Sequence, residues 1–179
     1  MAPHRFAFAR FCCLAWAAWV VLPGPPLAAE PPFAGLRLPE RTSLVAAALA
    51  QGVQVYEGRA APTGGYRWEL KGPQAALTTV GGERFGRHDP GPTWTADDGS
   101  QVTGALAEKV DAPGVNAIPW LLLTVKSKSG SGVLSGVDYV LRVETRGGGA
   151  PAEAPLREGE TKAVAYQALY LFLQQTAAR

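Results

Sequence analysis

The chain reads as an all-β domain: a single antiparallel β-sandwich or barrel of about seven to eight strands, with one short helix near its N-terminus. Three observations point there. Gly (21) and Pro (15) make about a fifth of the 179 residues, a density of turn formers that argues against a helical bundle. Short runs rich in β-branched and aromatic residues recur between Gly-rich gaps. Asp98-Gly99 lies between two such runs and marks a tight hairpin. At 47% apolar and 18% charged the composition is globular, the length suits one domain, and no internal repeat is visible.

Residues 1–29 read as a secretory signal. Arg5 and Arg10 stand without an acid, 11–22 (FCCLAWAAWVVL) is apolar throughout, and the segment ends in small residues at Ala28-Ala29. A membrane anchor is the rival reading, but a spanning helix needs about 20 apolar residues and this run is short and meets Pro23. Cys12 and Cys13 open the apolar run, the wrong end for a lipoprotein. Residues 30–41 form a Pro-rich, extended lead-in, and 42–179 the β domain.

Thr42 or Ser43 caps a short helix over 44–50 that Gly52 ends, although the same residues also suit a strand. Strands are expected over 53–57 and over 66–70, where Tyr66, Trp68 and Leu70 share a face, and over 74–80. Thr93–Ala96 and 101–106 flank the Asp98-Gly99 tip. The run 118–126 (IPWLLLTVK) is apolar enough for a strand covered on both sides. In 137–145, Val137, Tyr139, Leu141 and Val143 face one way, with Asp138, Arg142 and Glu144 the other. The segment 163–174 fits helical spacing and strand alternation alike, and its aromatics favour a strand.

Removal of 1–29 takes Arg5 and Arg10 from the 17 basic residues and none of the 15 acids, leaving 15 of each. That balance offers no electrostatic case for nucleic acid or an anionic membrane as partner. The remaining chain has no cysteine and one histidine, His88. Disulfides and thiol nucleophiles are excluded, and a zinc site lacks its ligands. Calcium on Asp97, Asp98 and Ser100 would lack the spaced acids of an EF-hand loop. No metal and no cofactor is expected.

Gly147, Gly149 and Ala152 match a dinucleotide fingerprint in letters, but Pro151 and Pro155 interrupt the helix such a loop must open. No P-loop motif is present. The segment 86–100 (GRHDPGPTWTADDGS) gathers His88, three aspartates, Trp94 and Ser100. Catalysis there would make His88 a general base, oriented by Asp89 or Asp98, with Ser100 or water as nucleophile. No G-x-S-x-G elbow supports Ser100. The plainer reading makes His88-Asp89-Pro90-Gly91 a turn and Asp98-Gly99 a hairpin tip. Asp97 and Asp98 point apart on a strand, so a glycosidase pair would need Glu57, Glu69 or Glu108 across a cleft. Trp68, Trp94 and Trp120 occupy strand positions that suit a core; Trp94, among polar residues, is the best placed to meet a ligand.

Across nearly the whole domain, the residues Gly52-Val53-Gln54-Val55-Tyr56, Trp68, Gly86-Arg87-His88, Gly91-Pro92-Thr93-Trp94, Asp98-Gly99-Ser100, Ile118-Pro119-Trp120-Leu121-Leu122-Leu123, Thr145 with 147–151 (GGGAP), and Ala165-Tyr166 follow a specific order. That order resembles the domain of unknown function 3455 family. The resemblance implies a small exported protein of a kind found in bacteria and fungi, without an established activity. Some fungal members are labelled malate dehydrogenase, a label the missing nucleotide fingerprint does not support. Family members carry one cysteine two positions after the Tyr56 equivalent and a second just after the Gly-Gly-x-Ala-Pro block; here Gly58 and 152–155 stand in those places.

The function expected is that of an exported, non-enzymatic binding or cell-envelope module, secreted or periplasmic, with no membrane contact after signal removal. Its candidate ligand surface comprises His88, Trp94, Asp98, Ser100 and Trp120, for a carbohydrate or another small molecule. The alternative is a secreted hydrolase using His88 with Asp98 and Ser100.

Overall fold

The structure, a computed structural model, describes residues 33 and 35–177; the signal segment expected over 1–29 lies outside them. Among the described residues there is no α-helix, hence none long and apolar enough to cross a membrane. Eight strands follow in order: β1 (Thr42–Ala60), β2 (Tyr66–Thr79), β3 (Arg84–Asp89), β4 (Thr93–Ala96), β5 (Gln101–Val110), β6 (Trp120–Ser129), β7 (Tyr139–Gly147) and β8 (Thr161–Gln175). Each pairs antiparallel with the next, and β1 pairs with β8, so the sheet closes as an up-and-down barrel without an edge.

Alternation decides the interior. Ala48, Ala50, Gln54 and Tyr56 of β1 turn inward, as do Tyr166, Ala168, Tyr170 and Phe172 of β8, all at most 7% exposed. The helix expected over 44–50 is a correction: those residues are the first half of β1. Their alanines suit a helix by propensity, but pairing with β8 from Thr42 and with β2 from Ala48 overrides it. The strands expected at 66–70 and 74–80 are one strand, β2, which steps over a bulge at Lys71, where Val55 faces Gly72 and Tyr56 faces Leu70. β3 escaped the sequence reading because its outward residues, Arg87 and Asp89, are charged and its inward ones are Gly86 and His88. The ambiguous C-terminal segment is a strand.

A second apolar cluster lies outside the barrel. Trp120 and Leu122 of β6 and Leu141 and Val143 of β7 are covered by Phe33 and Leu36 of the lead-in and by Val110 and Ala112 after β5. This cover gives the two faces of β7 their sense: Tyr139, Leu141 and Val143 lie on the outer one, and Arg142 turns inward with Val140.

The two ends differ. At one, the β6–β7 connection buries Leu134 and Val137 completely and plugs the barrel. At the other, the β7–β8 connection folds across part of the opening. The Tyr56 hydroxyl donates to the Gly148 carbonyl at 2.7 Å, and Trp68 Nε1 to the Glu153 carbonyl at 2.7 Å. Gly58 is required there, since a Cβ would fall 2.5 Å from the Arg157 carbonyl oxygen and 2.9 Å from Pro155 Cβ.

Candidate ligand site in the barrel mouth

The open part of that second end is a cavity of about 280 Å³. Its floor is polar and its rim mostly apolar, with Lys71 among the rim residues. Gln54 from β1, His88 from β3, Trp94 from β4, Arg142 from β7 and Tyr170 from β8 converge on it, with Leu106, Leu121 and Leu123 around them. The convergence follows from register: His88 pairs with Trp94 and Arg142 with Tyr170, so each pair projects inward at the same level.

His88 is 2% exposed, and its ring lies flat on Trp94 at 4.5 Å with 4° between planes. Tyr170 meets both rings edge-on, at 5.0 and 5.5 Å. The Thr93 carbonyl lies 2.9 Å from His88 Nδ1. A carbonyl only accepts, so Nδ1 carries the proton and Nε2 the lone pair. Burial pushes the His88 pKa down to about 4, against the Thr93 hydrogen bond, which favours the proton. The imidazole is therefore neutral at neutral pH. Burial raises the Tyr170 phenol as well, so it is a hydroxyl donor.

Several polar atoms in this wall have no hydrogen-bond partner. They are both amide atoms of Gln54 and Trp94 Nε1, on side chains no more than 1% exposed; the Tyr170 hydroxyl makes no well-formed bond but has the Tyr166 hydroxyl and the Arg142 guanidinium beside it. An unpaired buried polar group costs about 1–3 kcal/mol, and several around one cavity indicate a missing partner.

The expected site residues divide. His88 and Trp94 come together, but His88 belongs to β3, and the turn expected at 88–91 occupies 90–92. Asp98 lies two residues past the end of β4, in the hairpin tip at the plugged end of the barrel. Its Oδ1 accepts from Ser100 N at 2.9 Å and Ser100 Oγ at 2.6 Å, and its Oδ2 from Val133 N at 2.7 Å. Ser100 Oγ accepts in turn from Leu134 N at 3.1 Å. These residues latch the hairpin tip to the plug. Trp120 stands outside the barrel, edge-on to Phe33 at 6.4 Å. Asp89 binds Arg87 Nε at 2.8 Å on the outer side. His88, Asp98 and Ser100 are thus not assembled as a catalytic set. Among the described residues no cluster of three His, Cys, Asp or Glu is placed to hold a metal. A larger depression of about 390 Å³ on the outer face, beside Gln51, Glu144 and Arg146, has none of the unpartnered atoms in its lining.

A family model described as protein of unknown function (DUF3455) matches residues 39–174, nearly the whole barrel. The chain belongs to this family. No curated protein and no solved structure matches it significantly. In this DUF3455 barrel the two places at which the resemblance implied cysteines are neighbours, since Gly58 abuts Pro155. The Gly147–Ala152 stretch joins two strands and opens no helix, so it lacks the structure a pyrophosphate site needs.

Sequence reasoning missed Gln54, Tyr170 and Arg142. Arg142 stood out in the β7 pattern as a charge in an otherwise apolar strand, and Tyr170 alternated with Tyr166 and Phe172. Gln54 stood in the Gly52–Tyr56 block that carries the family resemblance, but its polar side chain gave no sign that it turns inward.

Proposed function

We propose that the protein is an exported, non-enzymatic binding module that takes a small molecule into the open end of its barrel. The carrying observation is the cavity floor, where fully buried donors and acceptors of Gln54 and Trp94 lack partners beneath a mostly apolar rim. Eight-stranded barrels are wide enough to hold one small ligand, and an apolar pocket with a few convergent polar groups is the usual form of such a site. A carbohydrate platform is less well supported. Trp94 is 1% exposed and spends one ring face on His88, so it presents no open surface to a sugar.

The test is thermal unfolding and tryptophan fluorescence against a panel of small apolar acids, alcohols and sugars, for the wild type and Leu106→Trp. Leu106 is 58% exposed at the rim, so a larger side chain there narrows the mouth without entering the core. At least one small apolar compound is expected to raise Tm by several degrees, and Leu106→Trp to abolish the effect. No stabilising compound, or undiminished binding to Leu106→Trp, would refute the reading.

A further inference from the structure

The cavity floor holds a cation without a counter-charge. Arg142 points inward from β7, and its Nε and Nη2 both donate to the Pro119 carbonyl, at 3.1 and 2.9 Å. That partner is neutral. No carboxylate among the described residues lies within 4.0 Å of the guanidinium, and no Asp or Glu lines the cavity. Its positive field reaches the ring of His88 and the hydroxyls of Tyr56, Tyr166 and Tyr170. Arg142 is half-buried, so water at the mouth meets part of its charge, and a ligand that displaces that water must supply an opposite charge or leave the guanidinium uncompensated.

The polar atoms around it have one bias. Trp94 Nε1–H only donates, the Tyr170 hydroxyl has a proton to give, and the Gln54 amide nitrogen has two; against these stand two acceptors, Gln54 Oε1 and His88 Nε2, so donors outnumber acceptors. A carboxylate is the complement, an acceptor-only group whose charge cancels that of arginine. Beyond the floor the walls are mostly leucine and proline: Leu121 and Leu123 inside, Leu70, Leu106, Pro73 and Pro92 toward the rim, where Lys71 also stands, exposed and 3.5 Å from the Glu57 carboxylate. Those side chains call for an apolar body.

We propose that the cavity selects a monocarboxylate with an apolar body, its carboxylate seated at Arg142 and its hydrocarbon toward the rim. This rests on the small-ligand reading above and adds the chemical class. A volume of about 280 Å³ suits a ligand of roughly 10–15 non-hydrogen atoms. At the floor one guanidinium with two N–H groups already engaged balances one negative charge, and Lys71 at the exposed rim is paired with Glu57, so a phosphate dianion seated at Arg142 would carry uncompensated charge into the barrel.

Isothermal titration at pH 7 with two matched pairs tests it: octanoate against 1-octanol, and 3-phenylpropionate against 3-phenylpropan-1-ol. Each pair shares a body and differs at the head. In the wild type at least one acid should bind about tenfold or more tightly than its alcohol. Arg142→Gln should bring that ratio to about twofold or less while alcohol binding persists, and Arg142→Lys should retain part of the preference. Alcohols binding as well as acids in the wild type would overturn the carboxylate assignment and leave the small-ligand reading standing. An acid preference unchanged in Arg142→Gln would also overturn it. Failure of all four compounds to bind would overturn it too, and only failure across the wider neutral and acidic panel would take the small-ligand reading with it. The wild-type comparison decides the matter even if Arg142→Gln does not fold.

Discussion

At the scale of single residues, His88 controls how stability depends on acidity. Unfolded, it takes up a proton near pH 6.5; folded, buried against Trp94, it does so only near pH 4. Between those values the unfolded chain holds a proton the folded chain refuses, so the His88 contribution to stability falls as pH drops from about 6.5 to about 4 and is constant below. A gap of that size corresponds to about 3 kcal/mol. His88→Phe keeps a ring on Trp94 and removes the titration, so its stability should be flat across that window by urea unfolding; a slope equal to the wild type's would contradict the assignment. Asp98 behaves differently. Its carboxyl is held below the ordinary value, first by the Ser100 hydroxyl and then by backbone N–H groups, so its contribution persists until pH falls below about 3.8. His88 and Trp94 were legible as candidates because they lie six residues apart and a hairpin pairs them. Arg142, Tyr170 and Gln54 were not, because what marks them is a shared level on three strands, which no local pattern records.

Between residue and molecule stands the latch, in which the β4–β5 tip holds the β6–β7 plug. Ser100 is fully buried, and its hydroxyl both donates to Asp98 and accepts from Leu134 N–H. Ser100→Ala leaves that buried N–H without a partner and should cost about 1–3 kcal/mol in chemical denaturation. Gly132→Ala should also lower Tm, since a Cβ at that position would fall on the Asp98 carboxylate and force the plug away from the tip. Neither change touches the mouth, so ligand affinity should stay within about twofold of wild type at temperatures where the barrel is folded; a large loss would show that plug and mouth are coupled. The sequence announced the tip through Asp98-Gly99 but not its use. A hairpin signal reports the local chain reversal, whereas the latch depends on contact with residues more than thirty positions away.

For the molecule as a whole, strand number was legible and closure was not. Alternation and turn residues delimit strands locally, but which first strand meets which last one is settled only by packing. The doubly apolar character of β6 to β8 obscured it further, because Phe33 and Leu36 cover an outer face that an isolated barrel would give to water. That cover is part of the fold's stability: Leu36 is 8% exposed against the outer cluster, and Leu36→Ala should cost about 2 kcal/mol or more, read as a fall in Tm without a change in ligand preference. A Tm unchanged by this substitution would show that the lead-in does not hold its place in solution. The seam between β1 and β8 bears on time rather than stability. Its partners, from Thr42 with Gln175 to Glu57 with Thr161, are more than a hundred positions apart in the chain. Contacts that distant are made slowly, because the intervening chain must be ordered before they form. One side of the first strand stays unpaired until the last is available, so a chain from which 161–175 are still withheld is an open sheet and not yet a container.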